Sequence, residues 1–228
     1  VNRPNFTTHS CSMKNVILAI SVCLTLSADT FAQATKDPKA QAILKDVSAK
    51  FKATKSLSAS FKVTTLDQKT KKSDSRSGSI VLKGNKYKLM LAGQEIYCDG
   101  KSAWTYLKEA NEVQISGADD KTNGISPTNI FTIYEKGFSS KYIGETKVDN
   151  VAVHHIELVP DDAKKPYFKI QVYINKTDKI ITSAKIFEKN GTHITYSVEK
   201  IKLNVDAPDN VFAFDKSKYP GVEVVDLR

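Results

Sequence analysis

Downstream of residue 34, the side chains suited to chemistry are few. They are His154, His155, His193 and Cys98, with Trp104 and Tyr106 as candidate stacking surfaces. Hydrolytic triads need a nucleophile, a base and an orienting acid, and no H-E-x-x-H or G-x-S-x-G signature is present. His154 and His155 are adjacent, so on a strand they point to opposite faces and cannot chelate one metal. His193 lies beside the Asn190-Gly191 turn and reads as a surface residue. Cys98 precedes Asp99-Gly100 with no base indicated, and reads as a structural cysteine. No glycine-rich phosphate loop appears. Trp104 and Tyr106 alternate on one strand, where core aromatics are the first expectation. The reading is no catalysis, no cofactor and no metal.

The chain has 228 residues, enough to build a core without staples. Hydrophobic residues are 40% and charged residues 26%, values of a globular protein. The net charge of +9 raises nucleic acid as a partner. The types of base argue against it. Only Arg3, Arg76 and Arg228 are arginines, whereas planar, bidentate readout favours the guanidinium. The lysines are scattered, with Lys69, Lys71 and Lys72 the densest group, as on solvated strand and helix faces.

The N-terminal stretch reads as a leader. Met13-Lys14-Asn15 precedes an apolar run, Val16 to Leu26, and Ala32-Gln33-Ala34 supplies a small-x-small exit. These are the parts of a signal peptide over residues 13–34. Cleavage fits after Ala34 or after Ala32. The run is too short for a bilayer span, which needs about 20 residues. Residues 1–12 read as an upstream extension. Val22 before Cys23 does not suit lipidation. Removing the leader also removes Cys11 and Cys23, leaving Cys98 alone and no internal disulfide. Residues 35–228 then read as one exported, monomeric domain held by its own core.

The elements that must position these side chains follow from spacing. Asp37 caps a helix, Pro38 opens it, and Ala40, Ile43, Leu44, Val47 and Phe51 recur at helical intervals to about Lys55. Period-two alternation then dominates: Leu57 to Val63, Ile80 with Leu82, Tyr87 to Leu91, Ile96 with Cys98, Trp104 with Tyr106, and Val113 with Ile115. The polar stretch 67–77 reads as a turn, and Asp99-Gly100 as a hairpin. A second helix is predicted from Ser126 to Gly137, with Ile130, Phe131, Ile133 and Tyr134 on its apolar face. Alternation returns at Tyr142, His154 to Leu158, Phe168 to Ile174, Ile181 to Phe187 and Ile194 to Val198. It then slips phase to Ile201, Leu203 and Val205. Short strands with tight turns mean an antiparallel meander. The fold class is α+β, mainly antiparallel β. About ten to eleven strands must curl, and the helices can then lie over the concave face as a lid above an apolar cavity.

The ordered motifs carry a resemblance. They are Ser58-Ala59-Ser60-Phe61, Gly78-Ser-Ile-Val-Leu-Lys83, and Lys86-Tyr87-Lys88-Leu89. Then come Cys98-Asp99-Gly100-Lys101-Ser102-Ala103-Trp104-Thr105-Tyr106, Glu112-Val113-Gln114, and Ile125-Ser126-Pro127. Phe212-Ala-Phe214 and Tyr219-Pro220-Gly221-Val222-Glu223-Val224-Val225-Asp226 close the set. In that order the chain resembles the periplasmic outer-membrane lipoprotein carrier family, LolA, over about residues 37–228.

The resemblance implies a strongly curled, half-open β-barrel with helices as its lid, located in the periplasm and without enzymatic activity. It implies acylated lipoproteins as cargo, an inner-membrane ABC transporter as donor and an outer-membrane acceptor. The inward strand positions expected to line the cavity are Phe61, Val63, Leu82, Tyr87, Leu89, Trp104, Tyr106, Ile170 and Val172. Ile43, Val47, Ile130 and Ile133 would face them from the helices. A general hydrophobic-ligand binder or envelope sensor on the same fold stays open beside the carrier. One departure stands out: where the family has a basic-Arg-Pro-Asn turn, this chain has Lys83-Gly84-Asn85-Lys86. The arginine's role in holding the lid does not carry over, and Lys83 is the nearest basic position.

Overall fold

The computed structural model describes residues 37–118 and 133–228. These described residues belong to one compact unit. Its first element is helix α1, Pro38–Ala53. Asp37 caps it: the carboxylate accepts from the Lys39 and Ala40 backbone N–H groups, and also from the Tyr142 N–H at 3.0 Å. One side chain therefore starts the helix and ties it to the sheet.

Among the described residues, twelve strands form a single sheet. They are β1 Leu57–Asp67, β2 Ser73–Lys83, β3 Lys86–Leu91, β4 Gln94–Cys98, β5 Ser102–Leu107, β6 Glu112–Gly117, β7 Phe138–Val148, β8 Val151–Pro160, β9 Tyr167–Asn175, β10 Ile181–Glu188, β11 Thr192–Leu203 and β12 Glu223–Asp226. The spatial order is β12-β6-β5-β4-β3-β2-β1-β11-β10-β9-β8-β7. The sheet is open, curled and antiparallel except at β12, which runs parallel to β6. Its class is the predicted α+β half-barrel.

Two local features differ from the sequence reading, and a third gives one of its features a structural form. The sheet has twelve strands where ten or eleven were expected, because β12 pairs at long range with no hairpin signal to announce it. Ser73 to Ser77, read as a turn, are paired strand residues. Ser75 faces Thr64, and their hydroxyls meet at 2.9 Å. The phase slip late in the chain is a β-bulge. Ser60 pairs Lys200 while Phe61 pairs Val198, so Glu199 is extra and Val198 and Ile201 reach the same face.

Register divides the sheet into two faces. The inner face, toward α1, holds Phe61, Ile80, Leu82, Tyr87, Leu89 and Ile96 on one half, and Ile156, Leu158, Ile170, Val172, Ala184 and Ile186 on the other. α1 lays Ala40, Ile43, Leu44 and Val47 into that second half, forming the largest buried cluster. Of the second predicted helix, residues 133–137 fall within the described residues, and there Ile133–Glu135 form a 3-10 turn. It docks on α1: Ser48 donates to the Tyr134 hydroxyl at 3.2 Å and Lys52 pairs with Glu135 at 2.7 Å.

Candidate functional site

The inner face is covered unevenly. Over β7–β10 it is core: Val47 is 2% exposed, Val172 3%, Ile170 4% and Ile43 8%. These four predicted lining residues interlock with one another and with Ile156, Leu158 and Ile174. A smaller buried cluster follows at Leu57, Ala59 and Leu82, with Phe51 of α1 and Tyr87 against it. The crevice between α1 and this cluster, bounded by Val47, Phe51, Leu57, Ile181, Ile201 and Leu203, has a volume of about 20 Å³. That is room for about one water, far below the roughly 300–1,000 Å³ of a ligand pocket.

Beyond that cluster the inner face carries a run of half-buried apolar side chains, bordered by Arg76, Gln94 and Thr105. Phe61 and Val63 of β1, Ile80 of β2, Leu89 and Leu91 of β3 and Ile96 of β4 form a continuous strip, placed by cross-strand register. Within it the Phe61 ring covers Gly78. Of the predicted lining set, Phe61, Val63, Tyr87 and Leu89 lie on this half-buried part, and Leu82 lies at its buried border. Ile130 lies outside the described residues, and Ile133 is placed only as the start of the 3-10 turn.

Trp104 and Tyr106 are a correction. The Asp99-Gly100 turn pairs Cys98 with Ala103 and Tyr97 with Trp104. Since Leu89 pairs Ile96, which pairs Thr105, Trp104 and Tyr106 project from the opposite, outer face. There they pack with Val113, Val222, Phe214 and Tyr219 beneath the C-terminal segment. The Tyr106 and Tyr219 rings are 4.4 Å apart, and those of Phe214 and Tyr219 4.7 Å. Glu95 gathers the hydroxyls: Tyr97 donates to it at 2.6 Å and Tyr219 at 2.9 Å. Burial pushes the Tyr97 hydroxyl far above its ordinary value, and the bond to Glu95 adds to this. These aromatics fasten the segment to the sheet.

That segment is also held at its start. The Lys83 ammonium donates to the Ala207 carbonyl at 3.0 Å and to Asp209 at 3.1 Å, and Lys86 pairs with the same carboxylate at 2.7 Å. Those bonds hold the Asp209 carboxyl below the usual carboxylate range, Lys86 having the larger effect.

The titratable candidates form no reactive constellation. His154 faces inward at the far edge, 7% exposed, with its Nδ1 3.3 Å from the Tyr142 hydroxyl. Burial lowers its pKa. His155 faces outward and stacks on Tyr173 at 4.6 Å. His193, read as a surface residue, is half-buried between Phe187 and Gln68. Cys98 is buried and not in a disulfide. Among the described residues no group of three or more His, Cys, Asp or Glu side chains could hold a metal.

Comparison with known proteins gives one family and several relatives. The family described as outer membrane lipoprotein carrier protein LolA matches residues 52–215. An uncharacterised protein of Methanocaldococcus jannaschii is 29% identical over 190 residues, which is 81% of this chain and 53% of that protein. The chain thus spans about half the length of this curated relative. An uncharacterised conserved protein from Thermus thermophilus has a similar fold. Its TM-score is 0.58 at 13% identity, over 82% of this chain and 99% of that one. The lipoprotein LppX of Mycobacterium tuberculosis matches with a TM-score of 0.50 at 16% identity, over 76% of this chain and 99% of that one.

Proposed function

The chain belongs to the LolA family, and from that premise we propose that it carries the acyl chains of lipoproteins on the half-buried apolar strip of its inner face. The observation that carries this reading is the contrast between the two halves of one sheet. Under α1 the apolar residues are sealed into a core; from Phe61 to Ile96 they are continuous, apolar and only half-buried. A stretch of strand surface kept apolar without being packed away favours an apolar guest.

The energetics explain why a carrier is needed. Burying one CH₂ is worth about 0.8 kcal/mol, so a chain of ~16 carbons represents on the order of 12 kcal/mol. A lipoprotein with two or three such chains does not leave a membrane unaided. Broad contact with strand side chains covers the chains yet releases them. The residues proposed to touch cargo are Phe61, Val63, Tyr87 and Leu89. Ile43 and Val47 of α1, with Ile170 and Val172 of the sheet, serve as the core between them.

In this reading residues 13–34 direct export to the periplasm and residues 35–228 are the single carrier domain. An inner-membrane ABC transporter loads it, an outer-membrane acceptor unloads it, and no chemical step is catalysed. Depletion in the native host tests the role: outer-membrane lipoproteins should accumulate at the inner membrane. Normal sorting on depletion would instead favour a general hydrophobic-ligand binder or envelope sensor.

A further inference from the structure

The outer face of β9 and β10 carries a patch that acyl carriage does not use. Phe168 is 48% exposed and Val159, on neighbouring β8, 44%. The Phe187 ring lies 6.1 Å from that of Phe168 and 4.5 Å from that of His193. Two ammonium groups sit over this one ring, Lys169 at 4.7 Å and Lys185 at 5.1 Å from its centroid. Gln68 extends the row. It accepts from Lys71 Nζ at 3.1 Å and contacts His193 Nδ1 at 3.0 Å. Glu157 pairs with Lys169 at 3.2 Å and offsets one of these charges. The field is positive at the centre of the patch: after burial, Lys185, Lys169 and Lys71 hold the His193 imidazole below its ordinary pKa.

We propose that this outer face docks on an anionic phospholipid bilayer. Lysines converging around exposed apolar side chains match the chemistry of the headgroup boundary. The ammonium groups meet lipid phosphates, while Phe168 and Val159 enter the shallow acyl region. Cation–π contacts fix Lys169 and Lys185 beside Phe187, so their charges are held in place before docking. The patch lies opposite the face that α1 covers, so a molecule docked this way keeps the Phe61–Ile96 strip off the bilayer. The inference stands whether or not that strip carries acyl chains.

Co-sedimentation of the full chain with vesicles tests it. Phosphatidylglycerol–phosphatidylcholine vesicles should bind at low salt, and pure phosphatidylcholine vesicles should bind much more weakly. Lys185→Glu and Lys71→Glu should each lower the partition by about fivefold or more, the ratio that corresponds to about 1 kcal/mol per lysine at an anionic surface. Phe168→Ser, at an exposed position, should lower it with folding intact. Lys216→Glu, a charge-matched change at an exposed site in the C-terminal segment, should leave it unchanged. The apolar Val16–Leu26 run is common to every variant, so differences among them report on the face. Equal loss with Lys216→Glu, undiminished binding by Phe168→Ser and Lys185→Glu, or retention on an immobilised acidic polypeptide without binding to anionic vesicles would each overturn the proposal.

Discussion

The Phe61 ring occupies the place where a side chain on Gly78 would project. A Cβ added to Gly78 would lie 2.7 Å from Phe61 Cζ and 2.7 Å from the Met90 carbonyl oxygen. The two residues are cross-strand partners on the inner face. A glycine in a strand interior ordinarily weakens it; here it makes room for the ring.

Gly78→Ala therefore runs against strand propensity. The Met90 contact is with backbone, which cannot swing away as a flexible side chain would. Overpacking of this kind costs about 1–3 kcal/mol, so chemical denaturation should show a loss of that size. A variant as stable as the parent would mean the ring is free to leave.

The two halves of the inner face should respond differently to substitution. Leu89→Asp and Phe61→Asp place a carboxylate where acyl chains would have to desolvate it, and should abolish cargo binding in a folded protein. Ile170→Ala opens a cavity beneath α1 and should cost about 2–5 kcal/mol, while the folded fraction still binds. Denaturation curves and cargo binding on the same samples separate the two effects. Lost binding with full stability at Ile170 would move the site under the helix.

The outer-face aromatics should matter for stability alone. Tyr219→Phe removes the hydroxyl that donates to Glu95 and meets the Tyr97 hydroxyl at 2.8 Å. The expected cost is about 1 kcal/mol. Trp104→Ala should cost more, through lost packing on the C-terminal segment. Neither should change cargo affinity; a change on Trp104→Ala would place the guest on the outer face.

Acid should destabilise the fold through the histidines. His154 is surrounded by Tyr142, Glu145, Lys39, Lys176 and Lys179, and its pKa lies below the ordinary value mainly because of burial. Burial depresses His155 in the same direction. The unfolded chain therefore takes up protons first, at about pH 6.5. Stability is full above that pH and falls as pH drops toward the folded-state values. Denaturation at pH 7.5 and pH 5 should show this loss, and His154→Gln should remove part of the slope. An unchanged slope would assign the acid sensitivity to other groups.

Much of the scaffold was legible in the sequence because it is written in local chemistry. Asp37-Pro38 and a 3.6-residue apolar period specify α1. Asp99-Gly100 and Asn190-Gly191 mark hairpins in which the glycines take positive φ, 92° and 94°. Even the bulge opposite Ser60 and Phe61 showed as a slip in alternation. What alternation could not settle was which parity faces inward. Trp104 and Tyr106 share a face with each other, but whether with Leu89 depends on register carried across two turns. Following Ala92-Gly93 and Asp99-Gly100 strand by strand pairs Leu89 with Ile96 and Thr105, leaving Trp104 beside Tyr97. The missed members of the strip, Ile80, Leu91 and Ile96, emerge from the same exercise. Burial depth was not legible either. Val172 and Leu89 alternate alike in sequence, and only the position of α1 makes one of them core.

The most direct test of the central claim is native mass spectrometry of the protein purified from cells co-expressing a triacylated lipoprotein, alongside its Leu89→Asp variant. The account predicts a one-to-one complex with acylated cargo for the parent, and an empty, folded protein of unchanged thermal stability for the variant. A parent that is always empty, or equal loading of both proteins, would contradict it.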